Sequence, residues 1–488
     1  MDKVSYALIG VTIYLSITLA IGIWSSRRVK KLVDYVVAGR KLGYLLTYGT
    51  ILATWFGTGV VIGGASMAYS FGYRGVIMDP IGAGLCIILF GLFIASILRK
   101  RGYLTVSDFF RERYGEGMEL ITAIVQVIAY MGWTASLLLS FGAIFNVFLG
   151  LPYSTGLIIG TVVTIIYTML GGMWSVALTD LIQSFLLIIG VIILLPYVVS
   201  AAGGLSVIGK QIPLSDFSIL PEKGWGYLGY TGLLGAAFYI SSWIVQGLGS
   251  LSCQDLVQRA LSARNERISK ISSIMAGITY IILGLVPATI GIFGRLIIPD
   301  LDNPDQIIPM LGLKLLPVIP FTIFSIGLLA ALMSSADSAM LIPPTMIVNN
   351  ILSKTKPELS DKQKLVIGRI LVPVTAVTAL IIAMYAKTIY FLMNFSWELI
   401  LMVQGIPFLI GLYWDKPGRK AAYASIIVNL LAWIALIIYT LPLTLDVEEG
   451  VLEWAIWDSI YISAPPALIL GTIAFILVGL WDKKTNQL

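Results

Sequence analysis

Residues 330–341 read AALMSSADSAML. Within this apolar run Ser334, Ser335, Asp337 and Ser338 supply three hydroxyls and a carboxylate in five residues. Helical spacing puts Ala331, Ser334, Ser335 and Ser338 on one face, with Asp337 flanking it. An aspartate at a bilayer centre costs about 2.5–3.5 kcal/mol on insertion scales, so it must face a partner or a cavity. Hydroxyl and carbonyl oxygens beside a carboxylate suit a hard monovalent cation, by the logic of oxygen-only sites. The ordinary alternative is that the serines bond back to their own helix or across to a neighbour. That explains the serines better than it explains Asp337. Asp79, Asp180 and Glu398 are further acids in apolar surroundings. The chain has no histidine and two cysteines, Cys86 and Cys253. His-based proton relays, His-ligated metals and a disulfide framework are therefore excluded.

These side chains need a scaffold, and composition indicates which kind. Of 488 residues, 58% are hydrophobic and 12% charged, against about 25% charged in soluble domains. Thirteen apolar stretches approach the length that crosses a ~30 Å hydrocarbon core. They lie at 4–25, 45–69, 78–98, 118–148, 152–172, 178–199, 228–250, 270–294, 316–349, 365–385, 389–413, 419–441 and 458–481. The expected fold is an all-α polytopic membrane protein in the cell membrane. With the N-terminus outside and the C-terminus cytoplasmic, 25 of the 32 Lys and Arg residues fall on the cytoplasmic side. Lys3, Arg74, Lys210, Lys223, Arg295, Lys314 and Lys387 remain outside, with the acidic loops PDLDNPD and LDVEEGVLEW. The net charge of +6 is then a topology signal and gives no reason to expect a nucleic-acid partner.

Two spans carry glycines at their middles. ATWFGTGVVIGG holds Gly57, Gly59, Gly63 and Gly64, and VQGLGSLSCQD holds Gly247 and Gly249. They lie five spans apart and cross in opposite directions, as an inverted repeat demands. Mid-span glycine weakens a helix and frees backbone groups for an ion or substrate. Close helix packing explains either segment taken alone. The matched pair points to a secondary transporter. The expected organisation is a first helix and loop at 1–44, a transport core at 45–413 (halves 45–199 and 228–413), and peripheral helices with a short tail at 414–488.

With AALMSSADSAM, the segments LATWFGTG, KRGYLTVSDFFRERYG, IYTMLGGMWSVALTDLIQSF and QDLVQRALSARNERIS run in order along nearly the whole chain. Together they resemble the sodium:solute symporter family, and the choline-transporter branch in particular. The resemblance implies the leucine-transporter-type fold of five plus five inverted helices, with the first and sixth core helices broken. It implies a sodium site from the carbonyls of Ala53, Phe56 and Ala331 with the hydroxyls of Ser334 and Ser335. It also implies a second-ion or ion-release role for Asp180, with Ser334, Asp337 and Ser338. Members with a second ion carry serines at both later positions, whereas this chain has Asp337 at one.

The substrate pocket is expected beside the broken helices, near the midplane. Trp55 and Gly57 sit at the first break, and Cys253 and Gln254 follow the second. The resemblance implies that Trp55 and Trp133 form part of a cation–π cage for a quaternary ammonium. Cys253 stands where that branch has a third tryptophan. Asp79 falls where sugar and sialic acid members present a polar ligand. It is equally an N-cap for its span, with Pro80 at the first helical position. Either Trp is otherwise an interfacial anchor, a weak account of mid-span Trp55. Glu398 is expected in the outer vestibule or bonded to a structural neighbour. The leading reading is sodium-coupled import of a small amine-bearing solute, choline-like or an amino acid such as proline. The alternatives are a carboxylate or sugar symporter, and an ion channel or solute sensor on the same fold. Nothing in the sequence indicates an enzyme, since it offers no nucleophile–base pair or metal motif. The oligomeric state is not legible from it.

Overall fold

The computed structural model describes residues 3–385, 389–448 and 451–482. Lys387, Glu449, Lys483 and Lys484, used above to orient the chain, lie outside the described residues. The described chain is nearly all helical, as lipid demands. Only helices and closed barrels satisfy every backbone polar group without water. The longer helices, labelled in chain order, are α1 (Lys3–Ser26), α2 (Tyr44–Trp55), α3 (Glu116–Leu149), α4 (Tyr153–Ala201), α5 (Gly232–Gly249), α6 (Gln254–Ser262), α7 (Glu266–Gly294), α8 (Val318–Met346), α9 (Asp361–Tyr385), α10 (Ile389–Ile400), α11 (Arg419–Val447) and α12 (Leu452–Trp481). Ten helices among the described residues are long and apolar enough to cross a bilayer.

Several of the thirteen expected spans are joined or divided differently in the structure. The two expected at 152–172 and 178–199 form the single 49-residue α4, which turns at Gly172 (φ 52°, ψ −147°). That turn requires glycine. The backbone is left-handed, and a Cβ would sit 2.4 Å from the Tyr35 ring. The second and third expected spans run through Gly59–Arg101 as one apolar stretch, with irregular turns at Gly72–Val76 and Ile77–Gly82.

Burial sorts the helices into a core and a rim. In α8 every residue from Gly327 to Met346 is buried. A helix enclosed all round belongs at the centre of a bundle, and α8 packs against α1, α3, α4 and α9. By contrast α11 exposes Ile427, Leu431, Ile434 and Ile438, and α12 exposes Ile469, Ile473 and Leu477. These stripes recur every three or four residues, so one side of each helix faces lipid while α11 and α12 pack on each other.

Two helices stop in mid-protein. α2 ends at Trp55, Phe56 leaves helical geometry (φ −78°, ψ 63°), and the chain resumes at Gly59–Gly63. α5 ends at Gly249, Ser250–Ser252 make a single 3-10 turn, Cys253 is extended, and α6 begins at Gln254. The glycine-bearing segments thus interrupt their helices where expected.

Candidate functional site

The first interruption lies directly against α8. Ser334 Oγ donates to the carbonyl of Ala53 at 2.8 Å and to that of Ala331 at 2.9 Å. One residue along, Ser335 Oγ donates to the carbonyl of Thr54 at 2.9 Å. A Cβ on Gly57 would fall 2.2 Å from Ser335 Oγ and 3.5 Å from the Ala331 carbonyl, so only glycine permits this approach. Ala53, Ala331, Ser334 and Ser335, predicted to share an ion, therefore meet at one point. Phe56 closes the end of α2, and its ring packs edge-on against Tyr280 with centroids 5.5 Å apart. The donor set is all oxygen and nearly dry, which suits a hard monovalent cation.

A turn further along α8 lies a buried charged cluster. Asp180 on α4 accepts from Thr50 Oγ1 at 2.5 Å through Oδ2. Its Oδ1 has no hydrogen-bond partner among the described residues. Asp337 Oδ1 accepts from Ser338 Oγ at 3.0 Å. Beside this cluster stands Arg259 of α6, fully buried. Its Nε donates to Thr54 Oγ1 at 2.6 Å, its Nη1 to the Asp255 carbonyl at 2.9 Å, and its Nη2 to Ser338 Oγ. Two segments distant in sequence, α2 and α8, thus converge on one guanidinium of α6.

Beside the two helix breaks is a cavity of about 150 Å³. Trp55, Gly57, Asp79 and Trp133, four of the predicted substrate residues, line it, and Ser335 opens onto it from the ion cluster. Asp79 has extended backbone (φ −144°, ψ 119°), as expected before proline. Its Oδ1 accepts from Tyr280 OH at 2.7 Å, so the side chain turns toward the cavity wall. The same hydroxyl reaches the Trp55 carbonyl at 3.0 Å, which ties Asp79 to the first break.

The cavity also holds residues that were not singled out from the sequence. Trp397 of α10 tilts against Trp133 with ring centroids 5.0 Å apart, and Tyr130 packs edge-on to both. Asp255, in the first turn of α6, accepts from Tyr130 OH at 2.6 Å through Oδ1. Its Oδ2 is buried without a hydrogen-bond partner among the described residues. A signal was present, since an acid directly after a broken helix is costly unless it serves a ligand. Asp305 stands at the mouth. Among the described residues, no lysine or arginine lines this cavity.

Three predicted residues lie elsewhere. Cys253 is fully buried and does not line the cavity. Gln254 faces away from it. Its Oε1 accepts from the backbone N–H of Val106 at 2.8 Å, and its own N–H donates to Gln126 Oε1 at 3.3 Å. Gln126 Nε2 in turn donates to the Ser252 carbonyl and to Gln404 Oε1, both at 2.9 Å. These buried amides form one hydrogen-bonded network beside the second break, and we refer to it as the amide seal. Extended geometry at Cys253 starts α6 on this register, turning Asp255 to the cavity and Gln254 to the seal. Glu398 is also fully buried, and both its carboxylate oxygens have no hydrogen-bond partner among the described residues. It is the neighbouring Trp397 that lines the cavity, because successive side chains on a helix diverge by about 100°.

This arrangement combines a dry all-oxygen cluster, two interrupted helices and an enclosed aromatic and acidic cavity. The comparisons agree with that combination. The human high affinity choline transporter 1 is 30% identical over 417 residues, covering 81% of this chain and 70% of that protein. The sodium/pantothenate symporter of Escherichia coli (strain K12) is 24% identical over 476 residues, covering 94% and 97%. A solved sodium-coupled sialic acid symporter, in a substrate-bound outward-open state, has the same fold. It superposes with a TM-score of 0.80 over 97% of both chains at 20% identity. The profile of the sodium:solute symporter family matches residues 35–429. The chain belongs to the sodium:solute symporter family, and it is a sodium-coupled membrane transporter.

Proposed function

We propose that this transporter imports a small amine-bearing solute, with sodium held by Ala53, Phe56, Ala331, Ser334 and Ser335. The observation that carries the solute reading is the cavity lining. Trp55, Trp133 and Trp397 offer aromatic faces, Asp79 and Asp255 offer carboxylates, and among the described residues no basic side chain opposes them. An ammonium gains about 0.5–2 kcal/mol over an aromatic face, more as water is excluded. The Asp255 carboxylate at the lining supplies the counter-charge. The choline transporters among the relatives support a cationic solute. The pantothenate symporters among them support a carboxylate, which this acidic lining would repel.

Coupling follows from position. Sodium between Ala53 and Ser334 links the broken α2 to α8 while the solute rests on Trp55 two residues away. The two ligands thus stabilise the same arrangement of the break. The thirteen-span count, the five-plus-five inverted halves and the outside N-terminus belong to this reading. The distribution of Lys and Arg supports that orientation. With that orientation Asp305 marks the outer mouth, and Gln126, Gln254 and Gln404 close the cytoplasmic side. Inward release then requires the amide seal to part.

The test is thermal stabilisation of the purified protein by amines, amino acids, carboxylates and sugars, in sodium and in potassium. A ligand at 100 times its Kd adds about 2.7 kcal/mol of stability. Sodium-dependent stabilisation by amines alone is the expected result. Stabilisation by a sugar or an amine-free carboxylate, with amines inert, would overturn the solute reading and leave the sodium site standing.

A further inference from the structure

The chain between α1 and α2 is held at two places by two different parts of the molecule. The first is the short helix Leu32–Val37, whose Leu32, Tyr35, Val36 and Val37 are buried. It packs against α4 and α9. Its Tyr35 ring lies under the left-handed turn at Gly172 of α4, where a Cβ would come within 2.4 Å of it, and beside Gly368 of α9. The second is Leu42, bridged to the end of α6. Its N–H donates to the Ser262 carbonyl at 3.1 Å, and its carbonyl accepts from the Arg264 N–H at 2.8 Å. Arg40 donates to the carbonyls of Gly102 and, at 3.3 Å, Tyr103.

Between the two holds the backbone runs left-handed at three successive residues, Ala38 (φ 47°), Gly39 (φ 60°) and Arg40 (φ 57°). Left-handed residues ordinarily occur singly, because their Cβ crowds the following carbonyl oxygen. Ala38 and Arg40 bear that crowding. Gly39 is confined as well, since a Cβ there would lie 2.8 Å from Asp34 Oδ1. Across the run, buried Gln258 of α6 donates through Nε2 to the Val36 carbonyl at 2.6 Å. That carbonyl is in the last turn of its helix, where no intrahelical partner is available.

We propose that residues 38–40 are a hinge about which α2 and α6 turn together against α4 and α9 during transport. The left-handed run is the closed setting of the hinge, and the Gln258–Val36 bond is its catch. When the catch parts, Ala38 and Arg40 leave left-handed geometry. α2 and α6 then move as one piece, because they pack on each other and Leu42 stays bridged to Ser262 and Arg264. Hinges of this kind are a few residues that absorb a change of φ and ψ between two rigid pieces. Relief of crowding at Ala38 and Arg40 offsets part of the cost of opening. Cys253, fully buried at the start of α6, becomes reachable as α6 moves.

The test is the rate at which a membrane-permeant maleimide alkylates Cys253 in the purified full chain, read by peptide mass. Gly39→Ala is expected to raise the rate about 5- to 30-fold, because alanine is penalised only in the left-handed, closed setting. Gly150→Ala is the control. Gly150 has the same left-handed backbone (φ 60°), open space where its Cβ would stand, and a place at the C-terminal end of α3. Its rate is expected to match that of the unaltered chain. Equal acceleration in both variants would mean general loosening and would overturn the proposal. An unchanged rate in a folded Gly39→Ala would also overturn it. Should Gly39→Ala fail to fold, Gln258→Ala decides. It is expected to raise alkylation while hydrogen exchange over residues 32–37 stays slow, since that helix remains fixed to α4 and α9. An unchanged rate, or fast exchange across 32–37, overturns the hinge.

Discussion

Ser334 Oγ lies 2.8 Å from the carbonyl oxygen of Ala53, across 281 positions of sequence. This contact joins the exposed carbonyl end of α2 to the most deeply buried helix of the molecule. Without an ion, the hydroxyl satisfies the carbonyl. On the proposed sodium site, the hydroxyl turns its proton away when sodium binds and both oxygens face the ion. On that proposal, exchange of a hydrogen bond for a shared cation would let one contact serve both states of the cycle.

Removing either hydroxyl should therefore weaken sodium binding more than it weakens the fold. Ser334→Ala and Ser335→Ala each delete one oxygen from a charged site, worth about 1.5–3 kcal/mol, or roughly 10- to 100-fold in affinity. Sodium titration of thermal stability would measure it. Ordinary sodium affinity in both variants would remove these hydroxyls from the site.

Gly57→Ala places a Cβ 2.2 Å from Ser335 Oγ. Overpacking of this kind costs about 1–3 kcal/mol, and here it pushes the break away from α8. The expected outcome is a protein that still folds but is no longer stabilised by sodium over potassium. An intact sodium-dependent shift in melting temperature would mean that the ion does not need this close approach.

Asp255→Asn and Trp397→Ala should each weaken amine binding, the second by about 2- to 30-fold from the cation–π range. Asp79→Asn should do the same. Competition between amines for one labelled amine, measured in saturating sodium, separates these effects from ion binding. If Asp255→Asn binds amines as tightly as the unaltered chain, the free carboxylate oxygen has another purpose.

Gln254→Ala leaves the Val106 N–H without its acceptor, at a cost of about 1–3 kcal/mol. That loss falls on the sealed state, so the balance should move toward opening on that side. Cys253, fully buried next to the seal, is a native reporter. Its alkylation by a membrane-permeant maleimide should be slow in the unaltered protein and faster in the variant. Equal rates would show that the amide contact does not hold this side closed.

The sequence by itself determined the class of molecule. Apolar runs of this length have no soluble alternative, because lipid requires every backbone group to be bonded within its own helix. It also located the two interruptions, since mid-span glycines leave a mark that composition and spacing reveal. Ser334 and Ser335 were legible because hydroxyls in an apolar helix are few and their helical phase is computable. Trp55 was legible from its place at the first break, and Asp79 as an acid at the start of an apolar span.

Only the tertiary structure decided which side of each residue faces what. Gln254 and Asp255 are neighbours, yet one closes the seal and the other opens on the cavity. Trp397 and Glu398 divide in the same way, one lining the cavity and the other enclosed in packing. A shift of one residue turns a helical side chain by about 100°, and the extended backbone at Cys253 sets that phase for α6. Arg259 was invisible for a related reason. In sequence it resembles one more cytoplasmic basic residue among many. Its meaning comes from Thr54 and Ser338, which reach it only when α2, α6 and α8 pack together.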